Sequence, residues 1–164
     1  MGSKTVDLGI RRVWWVINVV NPAAITVAEI TAGKELSKYL LPDYKFAPAA
    51  SKTVDEKDIT ALFDAQTPTI GTYEGSLHLF RSLTGAGVAD TDDLKATFTG
   101  RPAGYLVERT GPPATVALAA GDKVNIGQFI ADNPQPDAAS DASFLKLTVP
   151  LLPQGYYFPD VVVA

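Results

Sequence analysis

Apolar residues occur along the chain in short runs, several of which alternate with polar residues in the manner of β-strands. The runs are rich in Val, Ile, Thr, Tyr and Phe, and 13 glycines and 12 prolines punctuate them. Strands are predicted at residues 12–20, 34–41, 71–83, 103–110, 115–120, 124–131 and 144–149, with further apolar runs at 156–158 and 161–163. The pattern predicts a mainly β fold.

The first predicted strand, residues 12–20, is apolar almost throughout. Both of its faces are therefore expected to be covered, by the core of the domain or by a neighbouring subunit. Trp14 and Trp15 point to opposite faces of such a strand. One of them is expected in the core and the other against a different partner.

The strand at 71–83 has a clearer alternation. It places Tyr73, Leu77 and Leu79 on one face, and Glu74, Ser76, His78 and Phe80 on the other.

Two helices are predicted. Thr26 and Glu29 have the spacing of a capping box, which indicates a helix of one or two turns that Gly33 closes. Residues 90–98 begin with acidic side chains and carry Leu94 and Phe98 four positions apart, which is typical of a longer amphipathic helix.

Residues 44–69 show little periodicity and predict a long extended loop. Loops longer than about 12 to 15 residues are uncommon in compact domains unless they have a function, so this segment is a candidate contact arm. Ile59, Leu62 and Phe63 are expected at its apolar tip.

A hairpin is predicted around a three-residue turn at 121–123. A three-residue turn places Val116 opposite Gln128, Leu118 opposite Ile126 and Ala120 opposite Val124, whereas a two-residue turn would place Leu118 opposite Asn125, so the pattern favours the longer turn. The apolar runs near the end of the chain are expected to pair within the sheet or with another subunit, since an unpaired apolar terminus is exposed.

Length and composition restrict the classes of function that are open to this chain. The 164 residues fit one domain, taken as residues 1–164, and the net charge of −4 disfavours a surface that grips nucleic acid. The absence of cysteine excludes disulfides and thiolate chemistry. The start of the chain lacks a secretory signal pattern and no apolar run reaches the roughly 20 residues of a membrane span, so cytoplasmic synthesis without membrane insertion is expected.

Catalytic chemistry is not indicated by any motif. His78 is the only histidine and lies within a predicted strand, which favours a surface or partly buried strand residue over a general base. Asp90, Asp92 and Asp93 lack the remainder of a calcium loop, and the glycines at 85–87 lack the Gly-Lys-Ser/Thr of a phosphate loop. We expect no cofactor, no metal and no enzymatic activity.

Several segments, in order, resemble the major tail tube protein of long-tailed bacteriophages, as found in phages of actinobacteria. The matching segments are NPAA at 21–24, TVAEI at 26–30, AGKELS at 32–37, AGYLVER at 103–109 and AAGDKV at 119–124. The chain departs from the family pattern at Lys34 and Glu35, and at Glu108, where the family has an apolar residue.

This resemblance implies a β-sandwich or small barrel with one flanking helix. It also implies hexameric rings, stacked into a hollow tube through which DNA leaves the capsid, with residues 1–11 as an N-terminal arm and 44–69 as an inter-subunit loop. Expected partners are copies of the chain, the tape measure protein, and the tail terminator and tail tip proteins. The protein would be a virion component assembled in the host cytoplasm.

Two sets of functional residues follow as hypotheses. The expected subunit contacts are Trp14, Trp15, Ile59, Leu62, Phe63, Tyr156, Tyr157 and Phe158. Glu74 and Glu108 are the expected acidic groups of the lumen, where negative charge would keep DNA from adhering.

Two other classes stay open on the sequence. One is a receptor- or carbohydrate-binding β-sandwich with an aromatic platform of Trp14, Trp15, Tyr156 and Tyr157. The other is a hydrolase that uses His78, for which no nucleophile or orienting acid is evident.

Overall fold

The computed structural model describes residues 9–55, 59, 66–81, 93–138 and 143–164. In this part of the chain the helices are α1 (Val27–Ala32) and α2 (Asp93–Phe98), and Pro22–Ala24 forms a short 3-10 turn. The strands are β1 (Arg11–Val16), β2 (Lys34–Glu35), β3 (Lys45–Val54), β4 (Thr67–Phe80), β5 (Ala103–Thr110), β6 (Lys123–Ala131), β7 (Gln135–Pro136) and β8 (Lys146–Val162).

All the strands belong to one antiparallel sheet, which confirms the mainly β prediction. The strand order is β2-β1-β5-β6-β8-β4-β3, and β7 pairs with β8. β8 is long because its first part pairs with β4 and its second part pairs with β6. Among the described residues the sheet ends at β2 and β3 and does not close on itself.

One face of the sheet encloses the larger part of the core. Val13 and Trp15 of β1 share this cluster with Leu77 of β4 and Leu147 of β8, strands that lie several positions away in the sheet. The sheet must therefore curve over so that its two ends pack together. Phe98 of α2 contacts the ring of Trp15 edge-on, with ring centroids 5.4 Å apart.

The opposite face of β1 is covered as well. Trp14 and Val16 pack with Ile25, Ile30 of α1 and Val163 near the end of the chain. Ala164 completes this layer through backbone hydrogen bonds to the start of the α1 segment. The prediction that both faces of the first strand are covered is thus met within one chain.

Trp14 and Trp15 are only 2% and 1% exposed. The expectation that both of them contact another subunit is not met, because each has its own hydrophobic layer inside the protomer. The same burial removes the aromatic platform on which the binding-module alternative depended.

Local sequence signals are confirmed in several elements. Thr26 and Glu29 form the predicted capping box at α1, and Gly33 ends that helix by donating to the carbonyl of Ile30. Leu94 and Phe98 of α2 are buried, and residues 90–92 of the predicted helix lie outside the described part of the chain. The two faces predicted for β4 are also observed, with Tyr73, Leu77 and Leu79 buried.

The prediction of an irregular loop at 44–69 is wrong for the described residues of that segment. Most of them form β3 and the start of β4, which pair with each other in antiparallel register from Lys45–Ser76 to Val54–Thr67. Small and polar residues dominate both strands here, so the hydrophobic alternation that marks a half-buried strand is absent.

The predicted strand at 115–120 is also wrong. β6 pairs with β5 and β8, and residues 115–120 instead form an irregular segment around the side chain of Arg109. The guanidinium of Arg109 is fully buried and donates hydrogen bonds to the carbonyl oxygens of Pro113, Val116 and Ala117. These carbonyls are turned toward the arginine and are unavailable for a β-ladder.

Two predicted strands are shorter than expected. The first ends at Val16, and the second is reduced to Lys34–Glu35. The hydroxyl of Ser37 accepts a hydrogen bond from the backbone of Val13, after which Tyr39 and Leu40 both donate to the carbonyl of Leu36. The chain therefore turns at the point where the ladder would have continued.

Candidate assembly surface

A two-stranded hairpin extends beyond the core. We define the hairpin arm as residues 47–54 of β3 together with residues 67–72 of β4. Every side chain of the arm is exposed except those of Ala49 and Thr72, which are half-buried. β4 begins to pair with β8 only at Gly75, so among the described strands the arm has no third strand.

The hairpin arm contributes little to the stability of its own chain. A two-stranded hairpin is at best marginally stable in water unless a further strand or a packed layer supports it. The side chains of Val54 and Ile70 are 42% and 61% exposed. The arm therefore presents apolar surface that no other described residue covers.

The base of the hairpin arm is firmly anchored. Phe46 packs edge-on against Phe129 and Tyr157, with ring centroids 5.9 and 5.6 Å away. Tyr73 packs against Phe129 at 5.1 Å. The arm thus projects from a rigid aromatic cluster, which fixes its direction.

Only part of the predicted arm tip is described. Ile59 is fully exposed, and its role as a contact residue stays a prediction. Leu62 and Phe63 lie outside the described residues. Val54 and Ile70 are apolar surface residues of the arm that the sequence analysis did not select, because no periodicity distinguished them.

The aromatic residues 156–158 of β8 lie beside an irregularity in the ladder. Gly127 of β6 pairs with Tyr157 and Phe129 pairs with Pro153, so β8 bulges between these positions. The hydroxyl of Tyr73 fills this bulge, donating to the carbonyl of Gln128 and accepting from the backbone of Gln154. The bulge is therefore a fixed feature of the strand.

Tyr156 and Phe158 project on the same side of β8. Their rings are stacked with centroids 6.3 Å apart and planes at 4°, and Tyr156 is 58% exposed. Tyr157 faces the other way and packs against the larger core cluster. Of the three aromatic residues predicted as contacts, Tyr156 offers most surface, and Tyr157 and Phe158 are half-buried.

Further apolar surface was missed by the sequence analysis. The most exposed large hydrophobic side chains elsewhere in the described residues are Ile17, Val20, Phe144, Leu145 and Val162. Phe144 stands edge-on to Phe80 at 5.9 Å. Such residues alternate with buried neighbours or lie in short connections, so the sequence pattern alone does not separate them from core residues.

Glu108 was predicted to face a lumen, and this is wrong. Its side chain is buried on the core side of β5, where it accepts hydrogen bonds from the hydroxyls of Tyr44 and Thr110. Arg11 lies 3.4 Å from the carboxylate and compensates its charge. Burial, together with the adjacent Glu108 carboxylate, raises the pKa of the Tyr44 hydroxyl.

Glu74 has the opposite environment. It is exposed on the outer face of β4, between the half-buried Thr72 and Ser76. Its carboxylate is therefore free to act on charges outside the subunit, as the sequence hypothesis requires.

His78 lies on the same outer face of β4 and is held between two carboxylates. Its Nδ1 is 2.7 Å from Asp43 Oδ2 and its Nε2 is 2.8 Å from Asp137 Oδ2. Burial of the ring opposes protonation, but the hydrogen bonds to Asp43 and Asp137 prevail and raise the pKa of His78. With carboxylates at both ring nitrogens, the histidine does not have the geometry of a base that activates a hydroxyl nucleophile.

Within the part of the chain that the structure describes, no cluster of three or more His, Cys, Asp or Glu side chains is suited to a metal. Within the same residues, neither helix is long and apolar enough to cross a membrane.

Comparison with known proteins gives one family. The model described as phage tail tube protein matches residues 1–164. No curated protein matches the chain.

Proposed function

The chain belongs to the phage tail tube protein family, whose model it matches over its whole length, and we propose that its copies close into hexameric rings that stack into a DNA-conducting tube. As a member of this family it is a structural component of the bacteriophage virion. It assembles into a multimeric tube with other tail proteins. We propose three further properties beyond membership of the family. They are the number of subunits in a ring, the stacking of the rings and the passage of DNA through the tube.

The hairpin arm is the observation that carries the proposal. It presents Val54 and Ile70 to solvent, and in the part of the chain that the structure describes no hydrophobic layer packs against it. Burying apolar side chains is worth about 25 cal/mol per Å² of surface removed from water. A neighbouring copy that covers the arm would supply the packed layer that the arm lacks.

The composition of the arm favours docking by side chains. Pro48 and Pro68 lie within the paired strands and lack the N–H that a further strand would need. Added strands are thus disfavoured at these two positions. Small residues such as Ala47 and Ala50 would let another chain approach closely, and we assign the arm to contacts between rings.

The open ends of the sheet support ring closure. Outside the hairpin arm, the sheet ends at β2 and at residues 45–46 of β3 in the described residues, and backbone groups at such edges pair readily with another chain. A head-to-tail arrangement of identical subunits buries every edge when the rotation closes. The stacked pair of Tyr156 and Phe158 is a second contact that we propose within the assembly.

Assembly of the purified chain tests the proposal. Sedimentation velocity and negative-stain microscopy over increasing concentration should reveal hollow rings or tubes. Val54→Asp and Ile70→Asp place a charge on the hairpin arm and should reduce stacking without lowering the temperature of unfolding of the subunit. A chain that stays monomeric at every concentration, even with tail tip complexes added, would contradict the proposal.

A matched control variant distinguishes a specific effect of the arm from the effect of a charge placed on any other apolar surface. Val116 is 48% exposed and lies outside the arm. Val116→Asp introduces the same charge and should leave stacking of rings unchanged. If all three variants stack as the unmodified protein does, the arm is not the contact between rings.

Glu74 is the residue that we propose for the lumen. A carboxylate there would repel the DNA phosphates and let the duplex slide, since attraction to phosphates grows with each added positive charge. Glu74→Lys should slow DNA ejection from particles with intact tails, and Glu74→Gln should have a smaller effect. Unchanged ejection by both variants would place Glu74 outside the lumen.

The remaining proposed partners follow from this role. A tube of this kind would enclose the tape measure protein and end against the tail terminator and tail tip proteins. The siphovirus type of tail and assembly in the host cytoplasm are likewise proposals. No cofactor and no catalytic residue is part of the proposed function.

A further inference from the structure

We propose that His78, Asp43 and Asp137 form a pH-sensitive clasp that ties the base of the hairpin arm to the end of β7. Asp43 lies in the turn that leads into β3, and Asp137 directly follows β7. His78 stands between them on β4, with its side chain 20% exposed. Three segments that are distant in sequence are thereby joined by one imidazole ring.

The geometry requires a doubly protonated ring. A neutral imidazole has one N–H and one lone pair, whereas an imidazolium has two N–H groups. Both ring nitrogens of His78 face carboxylate oxygens, at 2.7 and 2.8 Å. Carboxylates only accept hydrogen bonds, so the neutral ring can hold one of them and repels the other.

The surroundings of the clasp contain further charges. On β8 the hydroxyl of Thr148 donates to Asp137 Oδ1 at 3.3 Å. Lys146 pairs with Phe80 and Lys45 pairs with Ser76, the residues two positions to either side of His78 on its own face. These lysines disfavour the imidazolium, but Asp43 and Asp137 touch the ring directly and have the larger effect.

Loss of the proton would loosen both ends of the clasp. The Asp43 turn is also held by backbone hydrogen bonds from Leu41 to the carbonyl of His78, at 2.8 Å, and from Tyr44 to the carbonyl of Leu41, at 3.3 Å. The segment after β7 is held by the backbone hydrogen bond from the Asp137 amide to the carbonyl of Lys146, at 3.1 Å. The amides of Leu41 and Asp137 therefore report on the clasp from opposite sides.

The direction of the pH effect follows from linkage. A histidine whose pKa is higher in the folded state stabilises that state at pH values below the pKa of the unfolded chain, about 6.5. This stabilisation is lost as the pH rises through the pKa of the folded state. The clasp is therefore closed below about pH 6.5 and opens as the pH rises through the folded-state pKa of His78.

NMR titration of the full-length chain tests the clasp. His78 is the only histidine, so its imidazole ¹H–¹³C signals identify it without further assignment. We expect it to titrate above about 6.5, and we expect Asp43→Asn and Asp137→Asn each to shift the titration downward. Asp132→Asn, which removes a carboxylate that faces Arg101 instead, should leave it unchanged.

Hydrogen exchange provides a readout of the structural consequence. After correction for intrinsic exchange, the amides of Leu41 and Asp137 should be better protected below the pKa of His78 than above it. In His78→Gln, which does not titrate, their protection should be independent of pH. This comparison uses the unmodified protein and remains informative if an aspartate variant does not fold.

Three results would overturn the proposal. They are a His78 titration at or below the ordinary value, a titration that neither aspartate substitution shifts, and amide protection in the unmodified chain that does not change with pH. The clasp lies within one subunit, so these results are independent of whether rings form.

Discussion

The backbone of Gly75 lies directly against the ring of Phe129. A Cβ at Gly75 would be 2.7 Å from Cε1 and Cζ of that ring and 3.1 Å from the Cβ of Leu151. Phe129 in turn supports Phe46 and Tyr73, which anchor the hairpin arm. The absence of a side chain at Gly75 therefore leaves room for the aromatic cluster, whose members come from β3, β4, β6 and β8.

Gly75→Ala should destabilise the subunit. The ring must shift to accept the methyl group, and overpacking of a core typically costs about 1 to 3 kcal/mol. Chemical denaturation of the purified chain measures this directly. Gly71→Ala on the same strand is the control, since a Cβ there has nothing within 4 Å and should change stability little. Equal effects of the two substitutions would contradict the packing argument.

Asp122→Ala should destabilise the chain through Arg109. Asp122 Oδ2 lies 3.1 Å from the Arg109 guanidinium, and the arginine side chain is fully buried. Removing one partner of a buried pair leaves an uncompensated charge, so we expect a loss of about 3 kcal/mol in denaturant unfolding.

The control for this prediction is an exposed ion pair of the same type. Arg101 and Asp132 are 3.2 Å apart, and the arginine side chain is 64% exposed. Asp132→Ala should cost less than about 1 kcal/mol. A loss for Asp122→Ala that is no larger than this would show that the charge of Arg109 is satisfied by the backbone carbonyls alone.

The elements that could be predicted from sequence have local causes. Thr26 and Glu29 are three positions apart, and Leu94 and Phe98 are four apart. The two residues of each pair are therefore neighbours within one or two turns of a helix, and their spacing alone predicts the helix. The faces of β4 around Tyr73 were likewise evident from alternation with period two. The mainly β architecture was predicted from the short runs of strand-forming residues and is implied again by the family resemblance, and the structure shares it.

The errors have non-local causes. Glu108 was taken as a surface acid because its buried partners, Tyr44 and Arg11, lie 64 and 97 residues away in sequence. Residues 115–120 have the apolar alternation of a strand. However, the buried guanidinium of Arg109 donates hydrogen bonds to the carbonyl oxygens of Val116 and Ala117, which are then not available for strand pairing. The hairpin arm escaped prediction because its strands are held by pairing with each other and carry almost no apolar pattern.

Thr26→Ala should destabilise α1 measurably. The Thr26 hydroxyl accepts a hydrogen bond from the backbone of Glu29 at 3.2 Å, and loss of such an N-cap costs about 1 kcal/mol. Thr31→Ala in the same helix is the control. The Thr31 hydroxyl donates to the carbonyl of Val27, which already accepts within the helix, so its removal should be nearly neutral. Thermal unfolding of both variants distinguishes the cap from a general effect of removing a threonine.

Glu29 should also contribute to the loss of stability in acid. Hydrogen bonds from the backbone amides of Val20 and Thr26 lower the pKa of its carboxyl below the ordinary value. The unfolded chain therefore takes up a proton at higher pH than the folded chain does. The stabilisation is present above the unfolded value, about 4.3, and is lost as the pH falls through the lower folded value.

Urea unfolding from pH 7 to pH 3 measures this contribution. In Glu29→Gln the amide oxygen can still accept a hydrogen bond but cannot titrate, so the decline of the free energy of unfolding with acid should be shallower than in the unmodified chain. Glu74→Gln removes the same charge from an exposed position and should decline as the unmodified chain does. If Glu29→Gln declines as steeply as the unmodified chain, the cap carboxylate does not couple folding to pH, and the acid sensitivity must come from other groups such as Asp122, whose pKa the Ala119 amide lowers.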